Sequence, residues 1–204
     1  LTYLWKSKYY ASVEGQERLI YARSFARSQM KFVDIDGDLD KDLLIGKADG
    51  RLAFFRNEGT PKQPRLRLET EDFEVIHEEK DANQQLMYLN RIVDVGKNAA
   101  PELSDIDDDG DMDLFVGSSD GQIFFFENRG NKLLPKFFRV TPIYMNLNFV
   151  GNSVPRFADL NGDLVQDLVV GLKDGRVMIF FNSGVSTNAL FCKEFEPLNP
   201  PDKR

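Results

Sequence analysis

Short apolar runs alternate with polar, glycine-containing turns along most of the chain. Leu43–Ile45, for example, is followed by the pair Asp49-Gly50 and then by a second apolar run, Leu52–Phe55. An Asp-Gly pair between two apolar runs favours the tight turn of a β-hairpin. Both runs are apolar at nearly every position, which is typical of strands that are buried on both faces. The pattern therefore predicts hairpins of buried strands in stacked sheets.

The same pattern occurs three times, in segments of equal length that align without gaps. They span residues 32–59, 103–130 and 157–184. Each segment begins with an aspartate-rich loop, continues into an apolar run and an Asp-Gly turn, and ends with Asn-x-Gly. An internal repeat of this kind indicates a fold assembled from equivalent units that stack on one another.

The aspartate-rich loops carry oxygen donors at matching positions. When the first aspartate is counted as position 1, acid or amide side chains occupy positions 1, 3, 5 and 9, and position 7 supplies a backbone carbonyl group. Loop by loop, these candidate metal ligands are Asp34, Asp36, Asp38, Asp40 and Asp42; Asp105, Asp107, Asp109, Asp111 and Asp113; and Asp159, Asn161, Asp163, Val165 and Asp167. Hard oxygen donors at this density suit Ca²⁺, which takes about six to eight oxygen ligands. We therefore predict up to three structural calcium sites.

Two other interpretations of the loops remain weaker. Acidic turns without metal are common, because aspartate and glycine favour turns for local reasons. However, three loops agree at four positions, and their carboxylates would repel one another without a cation. An EF-hand loop requires glutamate at position 12 and a helix on each side. Position 12 is instead Ile45, Val116 and Val170, which lie in predicted strands.

The loops are not equivalent in every position. Position 6, where glycine eases a left-handed turn, is Gly110 in the second loop but Leu39 and Leu164 in the other two. The third loop has fewer acids, since Asn161 replaces an aspartate. We expect the second loop to bind calcium most tightly and the third loop most weakly.

The combined pattern is D-h-[DN]-x-D-x-x-x-D-L-h-h-G-x-x-D-G, where h is apolar, and Asn-x-Gly follows it. It resembles the FG-GAP/VCBS repeat, which forms the blades of calcium-binding β-propellers such as the integrin α-subunit head. The resemblance implies an all-β fold of about three to four four-stranded antiparallel blades, with each cation in a loop between two strands. It also implies a non-catalytic module for adhesion, recognition or assembly, located in an extracellular, cell-surface or periplasmic compartment.

The length of the chain limits how many blades it can form. We interpret residues 1–204 as one propeller segment, with part of a preceding blade at 1–29 and part of a next blade, or a tail, at 185–204. Propellers typically close with four to eight blades, so we expect a fragment, one part of a multi-chain propeller, or an open arc. The chain begins at Leu1 rather than Met, which suggests processing or truncation. The polar stretch Glu69–Asn83 is predicted as an extended surface loop, with a longer hairpin as the alternative.

Composition argues against several other classes of protein. The formal net charge is −7, which three Ca²⁺ would change to −1, and there is no basic stripe to bind nucleic acid. No apolar run approaches the roughly 20 residues of a membrane span. A single histidine, His77, and a single cysteine, Cys192, leave no recognisable catalytic set and no internal disulfide. The sequence therefore predicts no enzyme.

A carbohydrate-binding or accessory propeller domain is the alternative function. Sugar sites often present exposed aromatic rings beside acids or amides, and the best local candidates are Tyr144, Asn146, Asn148 and Phe149. The competing interpretation of this stretch is an ordinary strand with alternating side chains. The expected partners are accordingly proteins or further subunits of an assembly, with a glycan as a further candidate.

Overall fold

The computed structural model describes residues 9–13, 16–20, 28–141, 143–184 and 189–191. Their strands are β1 (Tyr9–Val13), β2 (Gln16–Ile20), β3 (Gln29–Val33), β4 (Asp42–Gly46), β5 (Leu52–Asn57), β6 (Leu66–Thr70), β7 (Glu74–Lys80), β8 (Leu86–Ile92), β9 (Ala100–Ser104), β10 (Asp113–Gly117), β11 (Ile123–Asn128), β12 (Phe137–Thr141), β13 (Ser153–Ala158), β14 (Asp167–Leu172) and β15 (Val177–Phe180). Within the same residues, the only helical element is a 3₁₀ turn at Tyr144–Asn146. The all-β prediction is confirmed.

The strands form separate sheets that follow the repeat. The first sheet is a four-stranded antiparallel meander in the order β3-β4-β5-β6. The second sheet contains the equivalent meander β9-β10-β11-β12 and adds β7 and β8 beyond β12. The third sheet has the order β13-β14-β15, and β1 pairs with β2 in a hairpin of its own. The predicted four-stranded antiparallel arrangement is present in the first sheet and in β9–β12 of the second, where the added β7 pairs in parallel with β12; the described part of the third sheet has three strands.

The repeat segments form the predicted hairpins. In each segment the apolar run after the acidic loop and the run after the Asp-Gly turn pair antiparallel, as in Leu43↔Phe55 and Leu114↔Phe126. Gly50 and Gly121 in these turns have positive φ angles of 89° and 82°, a conformation that glycine adopts at low cost. Every residue of β4, β9 and β10 is buried. The prediction of strands buried on both faces is therefore confirmed for β4 and β10, which contain the apolar runs after the first two acidic loops.

Apolar side chains fill the space between neighbouring sheets. Those that join the first sheet to the second include Leu44, Leu52 and Phe54 from the first and Leu114, Val116 and Phe126 from the second. Those that join the second sheet to the third include Phe115 and Ile123 from the second and Leu168, Val170 and Phe180 from the third. Successive residues of a strand point to opposite faces, so each sheet contributes alternate positions to two different interfaces.

A buried carboxylate links the first strands of the three sheets. β9 lies between β3 and β13, and Glu102 on β9 is almost fully buried. Its carboxylate pairs with Lys31 of β3 and with Arg156 of β13, the latter at 3.1 Å. A buried charge requires such partners to offset its lost hydration. The ion pairs therefore contribute to fixing the order of the sheets.

The prediction of an extended loop at Glu69–Asn83 is wrong. Glu74–Lys80 forms β7, which pairs antiparallel with β8 over seven residue pairs. Val75 is buried in the core between the first two sheets, and Asp81 closes the turn by accepting hydrogen bonds from the backbone N–H groups of Asn83 and Gln85, both at 2.8 Å. Glu78 and Glu79 of this stretch are exposed although they lie in a strand, and the alternative prediction of a longer hairpin is confirmed.

Some predicted features fall outside the described residues. Residues 1–29, predicted as part of a preceding blade, contain the β1–β2 hairpin and the start of β3; apart from Ser28, their other residues are not described. Of residues 185–204, only 189–191 are described, where Phe191 forms an isolated β-bridge with Asn182. Cys192 lies outside them. No helix in the described part of the chain has the length and apolar character needed to cross a bilayer.

Candidate metal centre

The three acidic loops occupy equivalent places in the fold. Each connects the first two strands of a sheet: β3 to β4, β9 to β10, and β13 to β14. Positions 1 to 8 of each loop lie between the strands, and position 9 is the first residue of the second strand. The repeat therefore places all fifteen predicted ligands, five per loop, at the same end of three neighbouring sheets.

Two residues in each loop have a left-handed backbone, at positions 4 and 6. These residues are Gly37 and Leu39, Asp108 and Gly110, and Gly162 and Leu164. Each loop thus has one glycine and one non-glycine residue with positive φ. The loops share one backbone shape although only the second has glycine at position 6, and the left-handed leucines are strained relative to glycine.

In the first two loops, carboxylate oxygens converge. One oxygen from each of Asp34, Asp36 and Asp38 lies within 4.8 Å of the others, and Asp105, Asp107 and Asp109 form a matching group. Oxygens that bind one Ca²⁺ at roughly 2.3–2.6 Å are separated from each other by at most about 5 Å. The spacing of both groups fits a shared calcium ion.

Several of these oxygens are buried without a hydrogen-bond partner. In the first loop they are the Oδ1 atoms of Asp34, Asp36 and Asp40, and in the second the Oδ1 atoms of Asp105 and Asp111. A buried carboxylate oxygen that is not paired costs free energy, and a cation at the loop centre would offset that cost. The residues of these two loops therefore fit the metal that the sequence predicts.

Position 7 contributes more than the backbone carbonyl group that the sequence indicated. The side chains of Asp40 and Asp111 fold into their loops, and the two residues are only 4% and 6% exposed. Burial, followed by the charges of the neighbouring aspartates, raises the pKa of Asp40 and raises the pKa of Asp111 to about 6. Both carboxylates are therefore additional candidate ligands, whereas the third loop has Val165 at this position.

The position-9 aspartates act as latches between strands. Oδ1 of Asp42 accepts a hydrogen bond from the backbone N–H of Asn57 at 2.7 Å, and its Oδ2 accepts one from Ile35 at 3.3 Å. Asp113 and Asp167 accept the same bond from Asn128 and Asn182, both at 2.8 Å. A carboxylate oxygen has two lone pairs, so each latch has capacity left for a metal.

The Asn-x-Gly sequence completes this arrangement. Oδ1 of Asn57 accepts hydrogen bonds from the backbone N–H groups of Gly59 at 3.1 Å and of Arg65 at 2.7 Å. Asn128 and Asn182 form equivalent bonds in the other repeats. The asparagine shapes the turn that follows the third strand, while its backbone N–H ties that strand to the acidic loop. Sequence analysis used these asparagines only as a repeat marker.

The third loop satisfies its own oxygens. Asp159 accepts hydrogen bonds from the backbone N–H groups of Gly162 at 2.7 Å and of Leu164 at 2.9 Å, and Nδ2 of Asn161 donates to Oδ2 of Asp163 at 2.9 Å. The bond from Gly162 makes the largest contribution to lowering the pKa of Asp159. Among the loop's described atoms, no buried side-chain oxygen lacks a partner. This loop has the least need of a cation.

The residue before each asparagine changes the charge beside the loop. Arg56 donates from Nη1 to Asp36 and from Nε to Glu69, the latter at 2.6 Å. Glu127 occupies the equivalent position in the second repeat, and it adds to the effects of burial and of Asp109 that raise the pKa of Asp107. The third repeat has Phe181 there. The aligned repeats contain this charge reversal, but the sequence alone does not show that the residue lies beside the acidic loop.

Burial also raises the pKa of the latch aspartates in the first two loops. It raises the pKa of Asp113 to about 8 and that of Asp42 to about 6, against the hydrogen bonds from Asn128 and Asn57 that lower them. Burial, and secondarily its like-charged neighbours, also raises the pKa of Asp105. Without a cation, the first two loops thus tend to hold protons, since packed carboxylates in a low-dielectric site disfavour ionisation.

The residues proposed for sugar binding do not present exposed rings. Tyr144 lies in the 3₁₀ turn, and its ring packs 5.0 Å from Phe115 and 5.1 Å from Phe125. The ring of Phe149 packs 6.1 Å from that of Phe180. Asn146 and Asn148 are exposed. The two rings instead pack at the interface between the second and third sheets. The competing prediction of an alternating strand is wrong, because Tyr144–Asn146 forms the 3₁₀ turn and no strand covers this stretch.

Comparison with known proteins agrees with the repeat. Residues 105–170 match the family model described as an FG-GAP-like repeat. The match begins at the first aspartate of the second loop, includes the whole third loop and ends in β14. It confirms the resemblance that the sequence pattern indicated. Searches of curated proteins and of solved structures found no match to this chain.

Proposed function

Since this chain carries an FG-GAP-like repeat, we propose that it is a non-catalytic β-propeller segment, stabilised by calcium, that binds or assembles with other proteins. Residues 1–204 form one such segment in this proposal. The observation that carries the calcium proposal is the set of buried, unpaired carboxylate oxygens in the first two loops. In the same two loops, carboxylate oxygens of the position 1, 3 and 5 aspartates lie within 4.8 Å of one another, as oxygens that share one calcium ion do.

The aspartates of each loop would hold the ion. Asp34, Asp36 and Asp38 supply side-chain oxygens in the first loop, and Asp105, Asp107 and Asp109 do so in the second. A bound Ca²⁺ supplies two positive charges where the carboxylates repel one another. It would thereby fix the connection between the first two strands of each sheet. Asp159, Asn161 and Asp163 would form the weakest site.

The calcium affinity of such sites determines the compartments in which they are occupied. Calcium modules of extracellular proteins typically bind with dissociation constants of about 10⁻⁴–10⁻³ M. Ions held at that affinity remain bound only where calcium is abundant, so the proposal places the chain in an extracellular, cell-surface or periplasmic compartment. The metal has a structural role there, and recognition belongs to surfaces that the loops hold in place.

The third sheet supports the proposal of a larger assembly. A Cβ atom on Gly46 would lie 2.0 Å from the carbonyl oxygen of Ala99, and one on Gly117 would lie 2.1 Å from that of Ser153. The next sheet therefore passes directly over both glycines. At the equivalent Gly171 the nearest atoms are 4.0 Å away, in Val154 of the same sheet. The described residues place no sheet over Gly171.

Side-chain exposure follows the same pattern. Leu44 and Leu52, which face the second sheet, are fully buried, and so are Phe115 and Ile123, which face the third. Their equivalents in the third sheet, Val169 and Val177, are only half-buried. A further sheet packed on this face would bury them as the others are buried. The face is thus suited to a neighbouring blade of a larger or multi-chain propeller.

Thermal unfolding with and without calcium tests the proposal. We expect calcium to raise the Tm of the chelator-stripped protein, because an ion that binds only the folded state stabilises it by about 2.7 kcal/mol at 100 times its Kd. Asp107→Asn is expected to lose a large part of this shift. Asp120→Asn, an exposed aspartate in a hairpin turn, is the matched control and should keep it. A Tm that does not respond to calcium would overturn the calcium proposal.

A further inference from the structure

The β7–β8 hairpin gives the second sheet an outer edge that the repeat alone would not produce. β7 pairs in parallel with β12 at Ile76↔Phe138, and β8 lies beyond it as the last strand of the sheet. No described strand pairs with the outer side of β8. Backbone N–H and C=O groups along an open edge are a ready template for another strand.

β8 lacks the features that usually protect such an edge. Its sequence, Leu86–Ile92, contains no proline or glycine, and its one charged residue, Arg91, already pairs with Glu79 at 3.2 Å. The β7–β8 register is uninterrupted from Glu74↔Ile92 to Lys80↔Leu86, whereas the β5–β6 and β11–β12 pairings shift register. Bulges, prolines and unpaired charges are the common means of preventing edge-to-edge association.

Apolar side chains are exposed on both faces of β8. Leu86, Tyr88 and Ile92 share one face by strand alternation and are 46%, 59% and 41% exposed. Met87, on the other face, is 39% exposed. The ring of Tyr88 packs edge-on against Phe138 at 6.0 Å. A strand that paired with this edge would place its own side chains beside the apolar side chains on each face of β8.

We propose that β8 pairs antiparallel with β8 of a second copy of this chain, about a two-fold axis at Leu89. In this register Leu86 lies opposite Ile92 of the second copy and Tyr88 lies opposite its Asn90. Arg91, the only charged residue of the strand, lies opposite Met87, so no like charges meet. The strand is self-complementary, as a two-fold interface requires, and this identifies a second copy as the occupant of the edge.

The pairing joins the two second sheets into one continuous sheet. It adds backbone hydrogen bonds along β8 and brings its exposed side chains on each face into lateral contact with those of the second copy. The strand uses no residue of the acidic loops, so the dimer stands or fails independently of calcium binding. Its interface is local to the hairpin, which leaves the open face of the third sheet free.

Charge substitutions at Met87 test the proposed register. Met87→Lys places a lysine opposite Arg91 of the second copy, and the two-fold axis creates this repulsion twice. We expect the dimer Kd to rise about tenfold, since like charges opposite each other destabilise strand pairs. Met87→Glu places a carboxylate opposite the same arginine, and the dimer should be at least as tight as the wild type.

Within a single chain, the two Met87 substitutions should change the stability of the β7–β8 hairpin in the opposite order to their effect on the dimer. Within the hairpin, Met87 pairs with Glu79, so Met87→Lys gains a favourable neighbour and Met87→Glu an unfavourable one. A loss of dimer in Met87→Lys therefore cannot come from a destabilised hairpin. Val150→Lys adds the same charge at a residue that is 82% exposed outside the strands and serves as the matched control.

Sedimentation equilibrium of the full chain in calcium, at about 1 to 200 μM protein, tests whether the chain dimerises through β8. Association in the micromolar range is detectable at these concentrations. The expected result is a concentration-dependent dimer that Met87→Lys weakens and that Met87→Glu and Val150→Lys retain. A monomer at every concentration would overturn the proposal. So would a dimer that Met87→Glu weakens as much as Met87→Lys does, or one that Val150→Lys weakens equally.

Discussion

Oδ1 of Asp42 lies 2.7 Å from the backbone nitrogen of Asn57, fifteen residues further along the chain. The second and third repeats form the same bond, from Asp113 to Asn128 and from Asp167 to Asn182. The position-9 aspartate therefore has a structural role that does not require metal: it fixes the acidic loop to the end of the third strand. The other acids of the loops are arranged around this fixed point.

In the third loop, the structural role of the position-9 aspartate can be measured separately from metal binding. Asp167 is fully buried and accepts hydrogen bonds from Asn182 at 2.8 Å and from Leu160 at 3.0 Å. Asp167→Ala leaves two backbone N–H groups unpaired, and we expect a loss of about 2–4 kcal/mol in the free energy of unfolding without calcium. Urea unfolding in chelator measures it. The exposed Asp163→Ala is the control, and equal losses in the two variants would contradict the latch.

Arg56 is expected to compete with calcium in the first loop. Its guanidinium pairs with Asp36, so Arg56→Gln should tighten calcium binding there by about two- to fivefold, the range for a partly exposed ion pair. Glu127→Arg, at the equivalent place in the second repeat, should weaken binding. Calcium titration of the variants measures both effects. Arg67→Gln, whose arginine pairs with Glu58 away from the loop acids, should leave the affinities unchanged; shifts in that control would refute a local effect.

The calcium-free protein should lose stability as pH rises from about 4 to 8. The pKa of Asp113 is raised to about 8 and the pKa values of Asp42 and Asp111 to about 6, whereas an aspartate in the unfolded chain titrates near 3.9. The folded state thus holds protons that the unfolded state has released, and stability falls with rising pH. Carboxyl groups whose pKa is lowered in the folded state, such as that of Asp159, change the stability with pH only below about pH 4.

Thermal melts of calcium-stripped protein at pH 5 and pH 7.5 measure this dependence. We expect the higher Tm at pH 5, and a smaller difference for Asp113→Asn, which removes the most strongly shifted group. Calcium requires ionised carboxylates, so the increase in Tm on adding calcium should grow over the same pH range. A calcium-free Tm that rises with pH would contradict the protonated loops.

Replacing the strand glycines Gly117 and Gly171 by alanine tests whether a neighbouring sheet covers each of them. A Cβ atom on Gly117 would overlap the carbonyl oxygen of Ser153, so Gly117→Ala should cost about 1–3 kcal/mol, the usual range for overpacking. A Cβ atom on Gly171 would come no closer than 4.0 Å to Val154, and Gly171 has no positive φ, so Gly171→Ala should be neutral or should stabilise the strand by up to about 1 kcal/mol. Urea unfolding compares the two. Equal losses would show that the third sheet is covered.

Much of the repeat could be predicted because its signals are local. Asp49-Gly50 specifies a turn through its own backbone preference, and the apolar runs beside it specify strands through burial. The spacing of Asp105, Asp107 and Asp109 likewise indicated a loop in which side chains converge. These features depend on residues close together in the chain, where sequence patterns carry the most information.

Features that depend on distant residues could not be predicted in the same way. Arg56 reaches Asp36 only because β5 lies beside the first loop, and Val75 anchors β7 only because two sheets meet there. Leu39 adopts a positive φ of 74° that its side chain disfavours, because the loop's contacts override the local preference. In each case tertiary contacts, and not local propensity, determine the structure.

Isothermal titration of calcium into the metal-stripped chain tests the central claim most directly. We expect two sites, in the first and second loops, with a third and weaker site whose oxygens are already hydrogen-bonded. Asp107→Asn should abolish the tightest of them and Asp36→Asn the next, while Asp120→Asn should change neither. A titration without heat, together with a Tm that calcium does not shift, would show that the loops are acidic turns without a metal.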